Sequence, residues 1–87
     1  MRILVVEDDR ILGDGLSQAL TLEGYAADWV KSRQAAEDAL AANSYALVIL
    51  DIGLPDGSGL DVLKVMRKKQ EVVPVLILTA YDTINDR

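Results

Sequence analysis

Three short stretches of the chain are apolar without alternation: Ile3-Leu4-Val5-Val6, Ala46-Leu47-Val48-Ile49-Leu50 and Val75-Leu76-Ile77-Leu78. A run of four or five apolar residues, rich in β-branched types, suits a strand buried on both faces of a parallel sheet. The stretches between them change period. Ile11, Leu12, Leu16, Ala19 and Leu20 recur at helical spacing, and Gly24 supplies a stop, so the pattern predicts a helix near residues 10–22. Gly13 and Gly15 weaken that helix slightly. Tyr25 to Val30 reads as a second, shorter strand. Ser32 fits an N-cap for a helix carrying Ala35, Ala36, Ala39 and Leu40 on one face and closing at Asn43-Ser44. The dense glycine and proline signal at residues 53–59 predicts a loop, and a third helix follows with Leu60, Leu63, Val65 and Met66 on or near its apolar face. Pro74 ends the connection to the last apolar run, and Thr83 fits the cap of a fourth helix.

The predicted order is therefore β-α-β-α-β-α-β. Strands alternating with helices imply an α/β, doubly wound parallel sheet with right-handed crossovers and helices on both faces. No repeat, linker or low-complexity tract divides residues 1–87, which read as one domain. Half of the chain is hydrophobic (51%), enough for a real core in a domain that remains marginally stable.

Charge narrows the function. The formal net charge of −5 repels nucleic acid backbones and argues against direct DNA or RNA binding by this segment. The densest basic run, Arg67-Lys68-Lys69, falls where the third helix should end and complements its dipole. The chain has no cysteine and no histidine, which removes disulfides, thiolate nucleophiles, imidazole bases and zinc sites built on those residues. The first residues are too short an apolar stretch for a signal peptide and no run approaches a membrane span, so a cytoplasmic location is the default expectation.

The three most apolar strands end in Glu7-Asp8-Asp9, in Asp51 and in Thr79. Sites in open parallel sheets form at the carboxyl ends of the strands, so these polar groups should gather at one end. Acids at strand ends also start loops or cap helices, and Asp8 or Asp9 could cap the first helix in just this way. Several carboxylates crowded together repel one another unless a cation compensates. Oxygen-only ligands favour a hard cation, and Mg²⁺ fits best. Asp51 is the candidate nucleophile, since a carboxylate can attack phosphorus and form an acyl phosphate. Asp8 and Asp51 would bind the metal, Gly53 would bring a backbone carbonyl near it, and the Thr79 hydroxyl could hydrogen-bond the incoming group.

At these residues the chain resembles the receiver domain of bacterial two-component response regulators, most closely the OmpR/PhoB subfamily of transcriptional regulators. The resemblance rests on Ile3 to Asp9, on the run from Leu47 to Leu60 and on Pro74 to Ala80, and it covers the whole chain. It implies a flavodoxin-like fold of strand order 2-1-3-4-5. It implies that Asp51 takes a phosphoryl group from a sensor histidine kinase, in a phosphorelay that regulates a DNA-binding output domain. It also implies that Asp8 ligates Mg²⁺ directly, that Glu7 acts mainly through water, that Gly53 lends its carbonyl, and that Thr79 is the switch hydroxyl, with room beside it at Ala80. Asp9 would be peripheral. Beyond self-phosphorylation and autodephosphorylation at Asp51, no enzymatic turnover is implied.

The family's fifth βα unit, with its lysine and switch aromatic, has no counterpart in the 87 residues, and neither has an effector domain. The expectation is a C-terminally truncated receiver with impaired phosphorylation. The segment is also expected to form a homodimer or larger assembly through residues near 74–87. A second possibility is that it is signalling-incompetent and acts only as such a dimerising structural module. A third, a phosphatase using a strand-end aspartate, needs a second acid two residues after the nucleophile, where this chain has Gly53.

Overall fold

A computed structural model describes residues 1–69 and 72–78. Its elements are β1 (Arg2–Val6), α1 (Arg10–Leu22), β2 (Ala26–Val30), α2 (Arg33–Ala42), β3 (Leu47–Asp51), β4 (Gly53–Leu54), β5 (Gly57–Ser58), α3 (Gly59–Lys68) and β6 (Val75–Leu78). The four longer strands form one sheet in the order β2-β1-β3-β6, with every pairing parallel. This is the expected order 2-1-3-4 of a flavodoxin-like α/β sheet, β6 being the fourth strand of the sequence reading. The expected helix at Thr83 lies outside the described residues. Among those residues, no helix is long and apolar enough to cross a membrane.

The unbroken apolar runs exist because both faces of the sheet are covered. Leu4, Val6, Val48 and Leu50 point to one side and pack with Ala36 of α2, Val62 and Met66 of α3, and Tyr45. Ile3, Val5 and Ile49 point to the other side, where Leu16 and Leu20 of α1 and Trp29 pack against them. Burying each of these side chains contributes roughly 1.5–3 kcal/mol.

Two helix faces differ from the sequence reading. Ile11 is 87% exposed and Leu60 is 43% exposed, so neither faces the core. In α3 the inward positions are Gly59, Val62 and Met66, all buried. In α1 the buried residue is Gly13. The predicted loop at residues 53–59 also contains a small antiparallel hairpin, β4 against β5, with Gly53 opposite Ser58.

The helix ends are capped as their sequences allow. Asp9 Oδ1 accepts from the N–H groups of Ile11 (2.9 Å) and Leu12 (3.3 Å), so Asp9, rather than Asp8, caps α1. Ser32 Oγ accepts from Ala35 N at 3.0 Å. Ser58 and Asp61 form a capping box at the start of α3, and Arg67 and Lys68 occupy its last turn. The start of α2 has a second acceptor from a distant segment. Asp56, in the turn of the β4–β5 hairpin, receives the N–H groups of Arg33 (2.7 Å) and Gln34 (3.0 Å).

Near the amino ends of β1 and β3, Asp28 Oδ2 accepts from the buried Tyr45 hydroxyl at 2.7 Å and from the Arg2 guanidinium at 2.8 Å. The Tyr45 hydroxyl, and after it Arg2, holds the Asp28 carboxyl below the usual carboxylate range. A carboxyl so lowered contributes stability that is complete above its unfolded pKa of about 3.9 and is lost as pH falls through the folded value. Urea unfolding at pH 7 and again below pH 4 should therefore show a smaller loss of stability on acidification in Asp28→Asn than in the unaltered chain. Equal losses would remove Asp28 from the acid response.

Candidate functional site

β1 and β3 are hydrogen-bonded neighbours, and Val6 lies opposite Leu50. Continuing that register by one residue sets Glu7 beside Asp51, the last residue of β3. Both are buried, at 2% and 7% exposure, while Asp8 is exposed. One carboxylate oxygen from each of Glu7, Asp8 and Asp51 lies within 4.8 Å of the others. The acids expected at the ends of the first and third strands thus converge on one point.

The backbone around Glu7 is held from three directions. Glu7 N donates to Val30 O at 3.0 Å, carrying the β1–β2 ladder one residue past the strand. The Trp29 indole N–H donates to Glu7 O at 2.8 Å. Glu7 Oε2 accepts from Asp9 N at 3.0 Å. Its other oxygen, Oε1, is buried and has no hydrogen-bond partner. Burial is the main cause that raises the Glu7 carboxyl above its ordinary pKa. The charges of Asp51 and Asp8 add to it, against the opposing bond from Asp9 N–H.

The base of the site depends on a close approach. Gly59 N donates to Ile52 O at 2.7 Å, and a Cβ at Gly59 would collide with the carbonyl oxygen of Asp51. Only glycine lets the amino end of α3 sit this near the end of β3. Gly53 is exposed, two residues past Asp51 in β4. Thr79 lies outside the described residues.

A buried, unpartnered carboxylate oxygen facing two further carboxylates is costly unless a positive charge joins it. An all-oxygen donor set of this kind fits a hard divalent cation such as Mg²⁺. Glu7, Asp8 and Asp51 are the residues that could hold it. Trp29 and Asp56, which fasten the acidic segment and the loop after Asp51, were not singled out from sequence. Their signals were slight: a lone aromatic in a short strand, and an Asp-Gly pair that reads as an ordinary turn.

A sequence profile for the response regulator receiver domain matches residues 3–87. The chain belongs to that family. Receiver domains are regulatory modules of two-component response regulators. The chain is 51% identical, over 87 residues, to the response regulator protein PmrA of Pseudomonas aeruginosa, covering 100% of this chain and 39% of that protein. It is 52% identical to the transcriptional regulatory protein BasR of Escherichia coli, again over 100% of this chain and 39% of the relative. Both are regulators of the OmpR/PhoB type. The receiver segment thus spans about two fifths of these relatives' length. Among solved structures, response regulator protein TrrA from Thermotoga maritima, in complex with Mg²⁺-BeF, superposes with a TM-score of 0.86 at 40% identity. That match covers 93% of this chain and 70% of the TrrA chain.

The crowding of acids in this receiver has a measurable cost. With a chelator present, Asp51→Asn should raise the melting temperature, because it removes one charge from the cluster while keeping its shape. Relief on the order of 1 kcal/mol would shift a domain of this size by roughly 4–8 °C. A lower melting temperature in Asp51→Asn would show that the carboxylates are not in conflict.

Proposed function

We propose that Asp51 is the phosphoacceptor of a phosphorelay, modified by a sensor histidine kinase with Mg²⁺ held at the acidic site. The observation that carries this reading is the convergence of Glu7, Asp8 and Asp51 at the carboxyl ends of β1 and β3. Asp8 and Asp51 would bind the metal directly, Glu7 mainly through water, and Gly53 through its carbonyl. Bound there, Mg²⁺ supplies charge neutralisation for an anionic phosphoryl group. An Asp51 carboxylate oxygen attacks phosphorus, forming an O–P bond as the N–P bond of the kinase phosphohistidine breaks and the imidazole leaves. Burial of Asp51 keeps bulk water from competing with the incoming group. Thr79 would donate its hydroxyl to the phosphoryl oxygen.

The chemistry of the segment stops at gaining and losing this group. The remaining length of the curated relatives leaves room for an output domain, and we assign it the DNA-binding role.

Two readouts test the reading. Mg²⁺ should raise the thermal stability of the unaltered chain by binding only its folded state, and Asp8→Ala and Asp51→Ala should abolish that gain. Incubation with a small phosphodonor and Mg²⁺ should then add one phosphoryl mass, located on Asp51 and absent from Asp51→Ala. Modification at another residue, or a metal response untouched by both substitutions, would refute it.

A second reading, association of two copies, has one specific observation in its favour. β6 forms an edge of the described sheet, and its Leu76 is 53% exposed within an all-apolar strand. Such an edge offers unpaired backbone groups beside hydrophobic surface. In the isolated segment, a homodimer should form by pairing along β6. Residues 79–87, which the sequence reading also placed in that interface, lie outside the described residues. Sedimentation equilibrium should report a dimer, and a compact monomer at high concentration would exclude it.

A further inference from the structure

We propose that Trp29 is a positioning residue for the acidic site, its indole setting how firmly Glu7, Asp8 and Asp51 hold a divalent cation. The inference rests on the Mg²⁺ reading above and extends it to a residue outside the carboxylate cluster.

β1 ends at Val6, so the Glu7 carbonyl lies past the last registered pair of the β1–β2 ladder, Val6 opposite Val30. It accepts from a side chain, the Trp29 indole N–H at 2.8 Å. That bond fixes the plane of the Glu7–Asp8 peptide. Two residues on, Asp9 is fixed as well, because its carboxylate caps α1 at Ile11 and Leu12. Asp8 is thus strung between two anchored points. It is the exposed member of the three acids, and so the one whose direction burial does not set.

The indole itself is confined. It packs against the cluster of Ile3, Val5 and Ile49, and a Cβ at Gly13 of α1 would collide with its Nε1 and Cε2 atoms. The Lys31 ammonium lies 4.9 Å from the ring centroid. The ring therefore has little freedom to swing its N–H away from Glu7. Groups that orient metal ligands in this way commonly change metal affinity about 10–100-fold when removed.

Trp29 is the only tryptophan in the chain, so its emission reports on this contact without labelling. The test is a titration of the 87-residue chain with MgCl₂ alone, followed by calorimetry and by tryptophan fluorescence. The unaltered chain should show an emission change that saturates at the same Mg²⁺ concentration as the heat. Trp29→Phe keeps most of the ring but removes the N–H donor. Folded by far-ultraviolet circular dichroism, it should bind Mg²⁺ about tenfold more weakly. Tyr45→Phe removes a comparable buried donor near the amino ends of the strands, and should leave the affinity unchanged. This separates positioning from a general loss of stability.

If the unaltered chain takes up no Mg²⁺, the metal reading falls and the inference with it. If it binds Mg²⁺ and folded Trp29→Phe binds equally well, or if Tyr45→Phe weakens binding as much, only the inference falls. Should Trp29→Phe not fold, the emission arm decides: a change that tracks saturation supports the proposal, and flat emission through saturation overturns it.

Discussion

The parallel pairing of β1 with β3 governs this molecule. Both strands are apolar on both faces and are buried over most of their length, so neither can slip by a residue without turning packed side chains away from their partners. That fixed register carries the residue after β1 and the last residue of β3 to the same height. Glu7 and Asp51 are forced together by hydrophobic packing further down the strands, although their own charges oppose it. The core thus supplies the free energy that holds an unfavourable electrostatic arrangement in place, as expected where strain and function coincide.

Around that point the backbone is tied down by contacts that reach across the chain. Trp29 of β2 holds the carbonyl of Glu7, and Asp56 of the β4–β5 turn holds the first N–H groups of α2. Two helices approach the site end through buried glycines, α1 with Gly13 against Trp29 and α3 with Gly59 against the Asp51 carbonyl. The same geometry serves both: a helix brought close at one end needs a position without a side chain there. In each helix a large apolar residue near that glycine, Ile11 or Leu60, is left exposed.

This explains what could and could not be read from the sequence. The strands were legible because unbroken apolar runs have few other uses in a short α/β chain. Their alternation with helices implied a parallel sheet, whose strand order came from the resemblance to receiver domains. The acids stood out because each ended such a run. The helix faces were misjudged for one physical reason. In α3 the inward stripe is Gly59, Val62, Leu63 and Met66, and in α1 it is Gly13, Leu16 and Leu20. Glycine carries no hydrophobic signal, so Leu60 and Ile11 looked like the start of each stripe. Asp9 shared its signal with Asp8, and only the hydrogen bonds separate the helix cap from the site acid. Trp29 and Asp56 act through contacts about twenty residues away in sequence, and no local pattern encodes those.

The two regions of one sheet also show why acidic composition alone could not identify the site. Asp28 and Glu7 are both carboxylates attached to strands of the same sheet. Asp28 receives a tyrosine hydroxyl and a guanidinium, and its charged form is favoured. Glu7 receives one backbone N–H, faces two other acids and keeps a buried oxygen without a partner, and its charged form is disfavoured. Asp28 is electrostatically complete within the chain itself, so it needs nothing further and works as a fastening. Glu7, Asp8 and Asp51 converge with no such compensating pair on Glu7 among the described residues, an arrangement that a divalent cation would complete. A domain this small has few ways to tolerate such a deficit. That the deficit falls at the carboxyl ends of the strands, where parallel sheets place their ligands, is the physical argument for reading it as a binding site rather than a packing defect.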